Sequence, residues 1–152
     1  ISKIKIKFYR NEVLVMDYDL VLNGTMPNLN DYLHGERIAI RKNGKFTTKG
    51  NAMKQEYQRK VVSAVRSQLR GIHIDKPVKI YYTFYEENRK RDLDNISAFA
   101  HKVIQDGLVK GGLLENDGWK NIIGFSDDFF VDKDNPRIEV TIREVDELYG
   151  AK

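Results

Sequence analysis

The chain has 152 residues, a net charge of +4 and an isoelectric point near 9.2, with 41% hydrophobic and 32% charged residues. That balance excludes a disordered chain, and no apolar run nears the roughly 20 residues that a membrane helix needs. The absence of Cys excludes disulfides, thiolate metal sites and a cysteine nucleophile, and it suits a reducing compartment.

One domain over 1–152 with its own core is expected at this length. Ile4, Ile6 and Phe8 alternate with Lys3, Lys5 and Lys7, which predicts a half-buried strand and not a leader peptide. Residues 13–15 and 20–22 predict two further short strands, and Asn23-Gly24 a turn. Residues 29–49 open with a short helical pattern and continue into a basic, glycine-containing segment holding Arg41, Lys42, Lys45 and Lys49. That segment reads either as a solvated loop or as an arm that tracks phosphates.

Over 51–70, Met53, Tyr57, Val61, Ala64, Val65 and Leu69 fall on one helical stripe. Lys54, Arg59, Lys60, Arg66 and Arg70 occupy the rest, with Glu56 the only acid, and such a one-signed face suits phosphates. Alternation over 78–85 predicts a strand, and Ile96, Phe99, Ala100, Val103, Ile104 and Leu108 predict a second long helix ended by glycines. Trp119, Ile122, Ile123 and Phe125 suggest another strand that Phe129-Phe130-Val131 continues, with Asp127 and Asp128 interrupting it at a bulge or facing solvent. A turn at 132–136, read as a hairpin, leads to a last strand over 137–142. The fold class is α/β (α+β): one mixed sheet of about four to six strands packed by two main helices.

The chemistry concentrates between residues 89 and 117. Arg89-Lys90-Arg91 runs straight into Asp92-Leu93-Asp94-Asn95 at the start of the second helix, and Glu115-Asn116-Asp117 follows its end. Paired carboxylates suit a hard cation such as Mg²⁺, which prefers oxygen ligands and shares its shell with water and phosphate. The adjoining cations suit a nucleic-acid backbone. Helix capping alone would account for Asp92 and Asp94, but not for the three cations beside them. Asp117 is expected to approach the pair once the helix has returned the chain. His34, His73 and His101 are dispersed, and no Walker loop, nucleophile elbow or dinucleotide fingerprint occurs.

Asp92-Leu93-Asp94-Asn95, the helix after it, and Gly112-Leu113-Leu114-Glu115-Asn116-Asp117-Gly118-Trp119 resemble the RusA family of Holliday-junction resolvases. Leu29-Asn30-Asp31-Tyr32 with Arg37, and the closing 135–140, are similar to the family's ends. The resemblance implies a Mg²⁺-dependent homodimer, with Mn²⁺ a possible substitute, that nicks a four-way DNA junction symmetrically in a bacterial or phage setting. It carries the essential acids onto Asp92, Asp94 and Asp117. The family's lysine falls at Ala98; Lys102, one helical turn on, is the substitute candidate, and His101 is the other. The expected DNA-binding set is Arg37, Arg41, Lys42, Lys45, Lys49, Lys54, Arg59, Lys60, Arg66, Arg89, Lys90 and Arg91. Two other readings stand beside it: a junction-binding protein without catalysis, and a broader flap or branch nuclease.

Overall fold

The computed structural model describes residues 4–9 and 13–145, with side chains from Met16 onward. β1 (Ile4–Tyr9) pairs antiparallel with β2 (Val13–Asn23), and β2 with β7 (Arg137–Glu144). β5 (Val78–Glu86) lies antiparallel to β7 on one side and parallel to β6 (Ile122–Val131) on the other. The sheet order is β1-β2-β7-β5-β6, which leaves β6 at an edge.

Alternation explains the burial. Val78, Ile80, Tyr82 and Phe84 of β5, with Val140 and Ile142 of its neighbour β7 and Leu20 of β2 beyond, are sealed on one face. Against that face pack α1 (Leu29–Glu36), α2 (Lys49–Gln68) and α3 (Leu93–Lys110). The two long helices approach closely because Gly107 has no side chain. A Cβ there would stand 2.4 Å from Val61 Cγ1.

Several expectations are corrected. The two short strands over 13–22 are one strand, since β7 supplies partners for its charges: Arg143 grips Asp17 through bonds of 2.8 and 3.0 Å, and Thr141 donates to Asp19 at 2.8 Å. The basic segment is no loop but a hairpin of β3 (Ala39–Lys42) and β4 (Lys45–Thr48). Asn43 and Gly44 at its tip take φ of 52° and 75°, the paired left-handed conformation of a tight hairpin turn. Residues 132–136 form no hairpin, because β5 separates β6 from β7; the connection passes over the end of β5, where Asp132 N–H donates to Glu86 O at 2.8 Å. Asp127 and Asp128 lie inside one continuous strand, β6. Trp119 precedes that strand and belongs to the loop.

Candidate active site and nucleic-acid interface

Asp92 is the residue before the first turn of α3, yet its carboxylate makes no capping hydrogen bond. Asp94, in that first turn, accepts from the N–H of Asn95 at 2.9 Å. Both are exposed, and neither is ion-paired among the described residues. Capping therefore does not account for Asp92. Two carboxylates with oxygens to spare, at the positive end of a helix, suit a hard cation and the phosphate that accompanies it.

Arg91, expected to grip DNA, has a different place. Its Nε and Nη2 donate to the two Glu86 oxygens at 2.8 and 3.0 Å, and Nη1 donates to Met26 O at 2.7 Å. The Glu86 side chain is only 9% exposed. The guanidinium fork thus buckles the end of β5 to the loop after β2, and it fixes the backbone from which Asp92 projects. Arg89 and Lys90, just before it, are exposed.

Asp117 lies elsewhere. Because β6 runs parallel to β5, the loop after α3 returns to the start of β5, where Val78 N–H donates to Asn121 O at 2.8 Å. Asp92 lies beyond the other end, where Glu86 pairs with Val131. The 18 residues of α3 span about 27 Å between the two clusters. Accordingly, no three His, Asp or Glu side chains among the described residues stand close enough to hold a metal. The meeting of Asp117 with Asp92 and Asp94, expected within one chain, does not occur. Asp92 and Asp94 fit a divalent cation as two donors of its shell; the full acidic set does not fit inside a single chain.

Lys102 does not reach the pair either. It is 62% exposed, its Nζ lies 3.4 Å from Asp106, and it sits roughly 12 Å along the helix from Asp94.

The family model of endodeoxyribonuclease RusA matches residues 34–143. The chain belongs to the RusA family. No curated protein sequence matches it. The matched stretch takes in Asp92, Asp94 and Asp117 as well as the hairpin and α2, while the Leu29–Tyr32 resemblance lies outside it.

In this RusA-family chain the basic candidates divide by what holds them. Arg37, Arg41, Lys42, Lys45, Lys49, Arg59, Lys60 and Arg66 are exposed on the hairpin and on the helices at its base. Phe46, 79% exposed, stands under the Arg41 guanidinium, 4.9 Å from ring centre. Lys60 lies over Tyr57 at 4.5 Å. Lys54 is partly committed, 3.8 Å from Asp106. A groove of about 410 Å³ between α1, the start of α2 and residues 25–27 is lined by Asp31, His34, Lys49, Tyr57 and Arg91, so it opens beside the Asp92 loop.

Sequence reading missed two pairs. One is the Arg91–Glu86 buckle, which the charge alternation after a buried strand would have suggested. The other joins His101 Nε2 to Asp127 Oδ1 at 2.7 Å, with the imidazole among Tyr82, Phe84 and Phe125. Burial keeps the Tyr82 hydroxyl protonated far above the ordinary tyrosine range. No sequence signal joined His101 to Asp127, since 26 positions separate them.

Proposed function

We propose that this chain cuts four-way DNA junctions by hydrolysis of paired phosphodiesters, with Asp92 and Asp94 holding a divalent cation, Mg²⁺ or in its place Mn²⁺, and Asp117 as the third acid. The observation that carries this is the carboxylate pair at the start of α3, which neither caps the helix nor pairs with a cation, in a chain of the RusA family. A bound divalent cation supplies an activated water and charge neutralisation at the scissile phosphate. The chain's own residues do the rest. The α3 N-terminus orients a phosphate through its unpaired N–H groups, and Arg89 and Lys90 add charge on the approach. The Arg91–Glu86 fork keeps Asp92 from shifting as DNA binds. The hairpin and the exposed face of α2 grip the backbone at a distance from the cut.

The test incubates the protein with a synthetic four-way junction and an equal-length duplex, in Mg²⁺ or EDTA, beside Asp94→Asn. Symmetric nicks confined to the junction, lost in EDTA and in the variant, are expected. Equal cutting of flaps would widen the substrate class. Tight junction binding with no cutting in any divalent cation would overturn the catalytic reading and leave a binding protein.

A further inference from the structure

We infer that Trp119 stacks on an exposed base at the branch point of a DNA junction and holds that strand against Asp117. The loop before β6 then reads an open π-face, which a continuous duplex lacks. The inference rests on the proposed function, in which Asp117 serves the cut and branched DNA is the substrate. It adds a recognition element that the acids and the basic surface do not supply.

Presentation is the first argument. Trp119 is the only Trp of the chain and, at 96% exposed, the barest large hydrophobic side chain among the described residues. Indole is broad, flat and stiff, so it covers a ring at small cost in side-chain entropy. The backbone beneath it is tied down. Gly118 O accepts from the N–H groups of Asn121 and Ile122, both at 3.0 Å, which closes a turn with Trp119 and Lys120 at its tip. Ahead of the turn Leu113 and Leu114 are buried, and Leu113 O accepts from Ile74 N–H at 2.8 Å. Behind it Asn121 O accepts from Val78 N–H at 2.8 Å, so the loop is anchored to the start of β5. The indole stands on a fixed base.

The surroundings are the second argument, and they select a nucleobase. Glu115, Asn116, Gly118 and Lys120 are exposed and polar or small, so within its turn the indole has no apolar neighbours with which to form the core of a protein contact. Lys120 supplies charge for a phosphate next to the stacked base. Asp117 is two residues away, at most about 7 Å of extended chain. A base on the indole therefore lies within about two base rises of a phosphate held at Asp117. In continuous duplex each base is covered above and below, and an aromatic side chain reaches a face only by unstacking a step, at a cost of a few kcal/mol. The innermost pairs of a four-way junction lack a stacking neighbour when its arms open, and the indole takes that place. Every base has a π-face, so the contact selects branch structure and tolerates sequence.

The single Trp makes its own probe. A four-way junction and a duplex, both with hairpin-closed ends so that no terminal base is bare, are titrated into the protein in EDTA. Trp119 emission should be quenched by the junction in step with binding seen by DNA anisotropy, and little by the closed duplex. Trp119→Ala should keep the parent urea midpoint and weaken junction binding about tenfold. It should leave duplex affinity and the salt slope unchanged, since stacking releases no counterions. Trp119→Phe should restore most of the junction affinity, whereas Lys120→Ala should lower the slope by about 0.9. Junction binding and cutting with Trp119 emission unmoved and Trp119→Ala at parent affinity would overturn the inference and leave the nuclease reading standing. Quenching by the junction, with the loss in Trp119→Ala, in a chain that cuts in no divalent cation would support the stacking contact and remove the nuclease reading. Equal quenching by the closed duplex would overturn the inference. So would a blue shift that follows protein concentration without DNA, with no further change on adding the junction, which would place the indole against another copy of the chain. A chain that binds neither DNA would overturn both readings.

Discussion

Arg91 and the cations of the β3–β4 hairpin look alike in sequence and stand in opposite surroundings. Arg91 is consumed by three hydrogen bonds at the end of a buried strand. Arg41, Lys42 and Lys45 project from a hairpin whose partners are mostly its own strands. A cation beside a buried carboxylate stabilises the fold by pairing with it. One at the surface without a carboxylate beside it keeps its charge, and on the proposed reading a polyanion takes it. Location relative to a sealed strand, and not local charge density, separates the two roles.

Substitutions sharpen that contrast. Arg91→Ala leaves the buried Glu86 carboxylate unpaired and should cost about 3–5 kcal/mol in urea unfolding. Replacing both partners by apolar residues of like volume should recover most of that loss; an Arg91→Ala protein of wild-type stability would break the comparison. Gly107→Ala drives a methyl into Val61 and should cost about 2 kcal/mol, a Tm loss of about 4–8 °C, with partial rescue by Val61→Ala. In the hairpin, Arg41→Ala/Lys42→Ala/Lys45→Ala should stay within about 0.5 kcal/mol of the parent in stability. The same triple variant should reduce the slope of log affinity for DNA against log salt by about 2.7, the loss of three phosphate contacts.

The smallest effect concerns acid. The hydrogen bond from Arg137 at 2.8 Å holds the Asp132 carboxyl below the ordinary aspartate range. A depressed folded value contributes stability that is present above the unfolded value, about 4, and lost as pH falls through the folded one. Asp132→Asn should therefore decline less steeply than the parent below about pH 4, read from urea midpoints.

The fold was legible where periodicity is long. The stripe from Met53 to Leu69 and the alternation from Val78 to Phe84 place α2 and β5 with nearly their observed bounds. Strand neighbours were not, because pairing depends on contacts remote in sequence; thus 132–136 looked like a hairpin turn when β5 in fact intervenes. The same gap misplaced Asp117. The β5–α3–β6 order was visible, but an antiparallel return would have carried Asp117 to Asp92, whereas the parallel crossover carries it to the far end. Asp17 and Asp19 masked the continuity of β2 for a related reason, since Arg143 and Thr141 lie more than a hundred positions away.

The turn at Asn43-Gly44 has a thermodynamic consequence. Its two left-handed residues match the twist of the flanking strands, and the base of the hairpin is tied to the helices, where Thr48 donates to Glu36 at 2.9 Å and accepts from Asn51 N–H at 2.9 Å. On the proposed reading that this segment grips DNA, its shape is set before DNA arrives. Association then bears little of the ordering penalty of a disordered basic tail, and its heat-capacity change should be small beside that of coupled folding.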